Sequence, residues 1–79
     1  MPKQVVKLTF PGRLIKEPVT FQMAAKFKLV ANIRRAKVTA TVGELVLELE
    51  GTAANLERGR KFLADKGVKV EPVIGNVIE

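Results

Sequence analysis

From Glu44 to Glu50 apolar and charged positions alternate almost strictly, with Leu45, Leu47 and Leu49 on one side and Glu44, Glu48 and Glu50 on the other. A period of two marks a strand with one buried and one wet face. Ahead of it, Ala31-Asn32-Ile33 opens another extended stretch, so the pattern predicts two strands joined at Gly43, with Asn32 at the mouth of the first. Nearer the N-terminus, Val5–Phe10 sets Val6, Leu8 and Phe10 inward against Val5, Lys7 and Thr9 outward, a first strand. Pro11-Gly12 ends it, because proline offers no N–H to a ladder and the pair favours a turn.

Between these strands the period changes. Val19, Met23 and Phe27 recur every four residues with Ala24 alongside, and Gln22, Lys26 and Lys28 stay wet, which is an amphipathic helix. Pro18 suits its first turn, where a missing N–H costs nothing. The chain becomes extended again near Val30. Ala36, Val38, Ala40 and Val42 form the expected buried set, and Arg35, Lys37, Thr39 and Thr41 the exposed one. Ile33 has the opposite parity, so either a bulge separates it from Ala36 or it faces away from the core.

Gly51-Thr52 opens a second helix with Thr52 as N-cap, and Leu56, Gly59 and Leu63 give its apolar stripe, flanked by Phe62. Gly59 costs about 1 kcal/mol against alanine in a helix interior, and a close approach to the sheet is the expected compensation. Asp65-Lys66-Gly67 is a stop, with Gly67 in the left-handed position. Val68, Val70 and Pro72 make the last strand, and residues 74–79 are read as a tail with a Gly75-Asn76 turn.

Strand, helix, strand, strand, helix, strand has one compact solution with right-handed crossovers. It is an α+β, ferredoxin-like βαββαβ sandwich: a four-stranded antiparallel sheet, spatial order 4-1-3-2, with two helices on one face. The uncovered face then carries Val5, Lys7, Thr9, Arg35, Lys37, Glu44, Val46, Glu48, Glu50 and Lys69, and Lys7 is placed to pair with the strand-three glutamates. All four phenylalanines are assigned to the core or the helix flanks.

The chain has 79 residues, 47% hydrophobic and 28% charged, the composition of one folded domain. It contains no His, Ser, Tyr, Trp or Cys. Disulfides and thiolate sites are thereby excluded, and zinc, copper and haem lose their usual ligands. Hydroxyl nucleophiles reduce to five threonines without a neighbouring base, so the expectation is a non-catalytic chain with no cofactor and no metal site. No apolar run approaches the roughly 20 residues that span a bilayer, and Met1-Pro2-Lys3-Gln4 lacks a signal-peptide core. A soluble cytoplasmic domain without membrane insertion is expected.

The combination of Leu8-Thr9-Phe10-Pro11-Gly12, Pro18-Val19, Val30-Ala31-Asn32-Ile33, Gly43-Glu44-Leu45-Val46, Leu49-Glu50-Gly51, Phe62-Leu63 and Gly67-Val68-Lys69-Val70-Glu71 resembles the NIL domain. That family occurs as the C-terminal regulatory module of methionine-importer ATPases and as the N-terminal part of small ferredoxin fusions. The likeness covers nearly the whole chain and implies one NIL-like domain over 1–79, ferredoxin-like or ACT-like in plan. It further implies a regulatory homodimer that binds a small amino acid, L-methionine or a sulfur-containing relative, at the dimer interface.

Carried over by position, the resemblance makes Asn32 the polar ligand contact and Ile33 the apolar surface for a thioether, with Arg34 adjoining them. Another reading of Asn32 is a left-handed residue ending the first helix. The sequence departs from the family where the residue after Ile33 is usually apolar; here Arg34 and Arg35 follow, which also discourage edge-to-edge aggregation. The ending Val70-Glu71-Pro72-Val73 is closer to the ferredoxin-linked branch. That branch suggests the alternative function, an interaction module docking to an enzyme or ferredoxin-type partner in sulfur amino-acid metabolism.

The net charge is +6, and residues 1–40 hold nine cations against the single acid Glu17, whereas residues 41–79 hold five against seven. Solvated faces of one small domain account for this, because the topology interleaves the two halves. Nucleic acid is disfavoured as a partner, since the exposed faces of strands one and three lack stacking aromatics.

Overall fold

The computed structural model describes residues 2–73; the expected tail at 74–79 lies outside them. The elements are β1 (Lys3–Pro11), a 3-10 turn (Gly12–Leu14), α1 (Val19–Lys26), β2 (Val30–Val38), β3 (Val42–Glu50), α2 (Ala53–Lys66) and β4 (Lys69–Pro72). The sheet order is β2-β3-β1-β4 with every neighbouring pair antiparallel, the expected order seen from the other edge. Val6 and Leu8 of β1, Leu47 and Leu49 of β3, Met23 of α1 and Leu63 of α2 are wholly shielded from solvent and form the centre of the core.

Local chemistry sets the helix ends. Pro18 stands just before α1, and its carbonyl accepts from Gln22 N at 2.9 Å. Thr52 Oγ1 accepts from Asn55 N at 3.1 Å, the anticipated N-cap of α2. Both helices close in the same way. Leu29 N donates to Ala24 O at 2.9 Å and Val68 N to Leu63 O at 3.0 Å, each across a left-handed residue. That residue is Gly67 (φ 103°) after α2 but Lys28 (φ 54°) after α1. The left-handed position after α1 is therefore taken four residues before Asn32, which lies inside β2 instead.

Gly59 does face a close approach, but the neighbour is α1 and its exit rather than the sheet. A Cβ built there falls 2.7 Å from Leu29 Cδ1 and 3.0 Å from Met23 Sδ. The vacancy lets α1 settle against α2, over the middle of the sheet. α1 is only eight residues, about 12 Å of helix, and so drawn it leaves the edge strand β2 without a roof. All of β2 is consequently exposed, and Ala36, Val38, Ala40 and Val42 are exposed rather than buried.

Two further details of the hairpin differ from the pattern. The turn lies at Thr39–Thr41, where Thr39 Oγ1 accepts from Val42 N at 3.0 Å, so these threonines are turn residues and Gly43 lies within β3 opposite Phe10 and Val38. The register shifts between Ile33 and Arg35, which settles the parity question in favour of a bulge at Arg34. Ile33 (opposite Leu47), Ala36 (opposite Leu45) and Val38 thus share the helix-side face. On the outer face, Lys7 stands opposite Val46 and Glu71, and the ion pair formed among the described residues is Arg34–Glu48 at 2.9 Å, not one of Lys7.

Two substitutions check this account. Leu47→Ala is expected to lower unfolding free energy by about 2–5 kcal/mol in urea titrations, while Val38→Ala on the same but unroofed face changes it by less than about 0.5 kcal/mol. Lys28→Gly is expected to raise stability by about 0.5–1 kcal/mol, since glycine removes the left-handed penalty of a side-chain residue. Equal losses at Leu47 and Val38 would contradict the bare edge.

Candidate functional site

The unroofed face of β2 and the outward flank of α1 form the walls of an open cleft of about 550 Å³. Phe21 and Ala24 line it from α1, Ile33 and Val38 from β2, and Leu14 and Leu45 lie deeper. Its size falls in the range of small-molecule sites, and its walls are mainly apolar. Phe21 is 75% exposed, Val38 63% and Ile33 58%, a contiguous apolar surface that a lone soluble chain seldom presents. Among the described residues no lysine or arginine lines the cleft. Thr20, also on its wall, has a hydroxyl shielded from solvent and, among the described residues, without a hydrogen-bond partner.

The three residues singled out from sequence do not share this hollow. Ile33 lines it. Asn32 is opposite Glu48 on the outer face of the sheet, exposed to solvent. Arg34, the bulged residue, reaches the same Glu48, so Asn32, Arg34 and Glu48 gather on one side of β2 while Ile33 faces the other. Between the two faces runs an edge of the strand that is free among the described residues, because β2 is the first strand of the sheet order and pairs there with β3 alone. Such an edge offers unpaired backbone donors and acceptors to an incoming ligand or chain.

Phe21 is the cleft residue that pattern reasoning missed. The signal was present: two residues beyond Val19, it falls off the Val19-Met23-Phe27 stripe, on the side of α1 that should be polar. Among the described residues no group of three or more carboxylates is arranged to hold a metal ion, and no helix is long and apolar enough to cross a membrane.

A family model described as the NIL domain matches residues 4–72. The chain is 32% identical over 78 residues to the methionine import ATP-binding protein MetN of Bacillus subtilis (strain 168), covering 94% of this chain and 23% of that protein. It is 29% identical over 76 residues to MetN of Protochlamydia amoebophila (strain UWE25), covering 91% of this chain and 22% of that protein. The chain thus spans just under a quarter of the length of the curated relatives it matches. A crystal structure of the C-terminal domain of an ABC transporter ATP-binding protein from Enterococcus faecalis superposes with a TM-score of 0.78 at 19% identity, over 92% of this chain and 86% of that one, a likeness of fold.

If Asn32 serves a ligand rather than the fold, Asn32→Ala should leave the urea unfolding free energy within about 0.5 kcal/mol of the parent. A larger loss would return the residue to a structural role.

Proposed function

Because the chain belongs to the NIL domain family, we propose that it is a non-catalytic regulatory domain that senses a free amino acid, methionine or a sulfur-containing relative, at the edge of β2. The observation that carries this reading is the apolar cleft opening directly onto that free edge. A ligand seated on the edge itself reaches both faces of the strand. Its thioether side chain lies over Ile33 and Phe21, where a flexible, polarisable chain packs well. Its charged end lies beside Asn32, whose carboxamide both donates and accepts, and beside Arg34, whose guanidinium suits a carboxylate.

In this proposal a second copy covers the ligand and the edge. Two β2 strands meeting about a two-fold axis give a self-complementary interface, and the bare Ile33 and Val38 of each copy then become buried. The name of the MetN relatives places their activity in methionine import, which is the source of the ligand class chosen here. Nucleophile chemistry is not part of the proposal, since the cleft lining contains Thr20 and carboxylates but no histidine, cysteine or serine.

A thermal-shift series with the L-amino acids tests it. A ligand present at about 100 times its dissociation constant adds roughly 2.7 kcal/mol, a rise of about 10 °C or more for a domain this small. The largest rise is expected for methionine or a close sulfur analogue. Asn32→Ala and Ile33→Glu should each remove most of it. Absence of a shift with every amino acid would reject the sensing role.

A further inference from the structure

The charge imbalance between the two halves of the sequence resolves, in the folded chain, into an imbalance between its two layers. The 3-10 turn and the loop after it hold Arg13 and Lys16, α1 and its exit Lys26 and Lys28, and α2 Arg58, Arg60, Lys61 and Lys66. Against these eight cations the helix layer sets, among the described residues, only Glu17, Glu57 and Asp65. The outer face of the sheet is far closer to balance, with Lys3, Lys7, Arg34, Arg35, Lys37 and Lys69 against Glu44, Glu48, Glu50 and Glu71. Among the described residues none of the helix-layer cations forms an ion pair, whereas Arg34 on the sheet side does.

The middle of this basic layer is not merely solvated. Phe27 and Phe62 meet edge to face, with ring centroids 5.7 Å apart and planes at 68°. Lys26 Nζ lies 5.7 Å from the Phe27 centroid and 5.3 Å from that of Phe62, and Lys66 Nζ lies 5.5 Å from Phe62. Arg13 donates to the Lys66 carbonyl at 3.2 Å and so belongs to the same end of α2. Ammonium groups held over aromatic rings lose less side-chain freedom when a partner arrives, so they act as prepared anchors.

We propose that the helix layer docks an acidic protein surface, with the Phe27–Phe62 pair at the centre and Lys26 and Lys66 gripping carboxylates on either side. A partly apolar centre ringed by unpaired charge is the anatomy of a protein interface. A nucleic acid strand needs free aromatic faces for stacking, but both rings here are partly buried and carry ammonium groups over them. A membrane surface needs protruding apolar anchors, and the exposed Phe21 belongs to the cleft, not to this patch. The docking surface stands independently of the amino-acid reading, because its anchors do not line the cleft.

The test is a titration of the isotope-labelled chain, followed by amide NMR, with a synthetic peptide rich in glutamate and leucine at low ionic strength. Shifts are expected to centre on Lys26, Phe27, Phe62 and Lys66, and binding should weaken as salt rises. Lys26→Glu with Lys66→Glu should weaken binding about tenfold, since each change turns an attraction into a repulsion. Lys7→Glu with Lys37→Glu on the sheet face should change it by less than about twofold. Lys26→Gln with Lys66→Gln, which keeps the stems, should weaken it in the same direction by a smaller factor. No binding of the peptide, equal weakening by the sheet-face pair, or tighter binding of single-stranded RNA or of phosphatidylserine vesicles than of the peptide would each overturn the proposal.

Discussion

The contact of Met23 and Leu29 with α2 at Gly59 governs this fold. A glycine in the interior of a helix is locally unfavourable by about 1 kcal/mol, yet here its missing side chain is the space in which the two α1-side residues sit. Met23 is wholly buried in consequence, and α1 is held against α2 instead of lying over the hairpin. Two helices, one of only two turns, then cover the central strands β1 and β3 and leave β2 bare. The open cleft follows from a packing decision made on the far side of α1.

A bare apolar edge strand invites uncontrolled pairing. The bulge at Arg34 answers this in two ways. It interrupts the ladder and puts a guanidinium onto Glu48 at the strand's outer face, beside Arg35 and Lys37. It also shifts the parity, so that Ile33, Ala36 and Val38 form one apolar row on the helix side. Were the strand regular through Arg34, with no bulge, Ile33 would share the outer face with Lys37, and the cleft would lose its strand wall. The same irregularity therefore restrains indiscriminate association and keeps an apolar surface available for a specific one.

Much of this was legible in the residues. The alternation in β1 and β3, Thr52 as a cap, Gly67 as a left-handed stop and the sheet order all follow from period, capping chemistry and handed connections, which act within a few residues or through one topological rule. What escaped the sequence depended on where one element lies over another. Ala36 and Val38 have the pattern of a buried row, and only the position of α1 leaves them wet. Asn32 looked suited to a left-handed turn, but Lys28 had already closed the helix through the Leu29–Ala24 hydrogen bond. For the candidate site, Ile33 fell in the cleft, while Asn32 and Arg34 fell on the opposite face, a division that a period of two dictates once the strand assignment is known.

Both proposed surfaces draw on α1. Phe21 and Ala24 face the cleft, Lys26 lies over the Phe27–Phe62 pair, and buried Val19 and Met23 lie between. Were a ligand to draw α1 toward β2, the displacement would reach the basic patch through Met23 and Leu29, which pack at Gly59. Any such coupling is reciprocal in binding free energy: an acidic partner that favours the tightened helix must favour the amino acid equally.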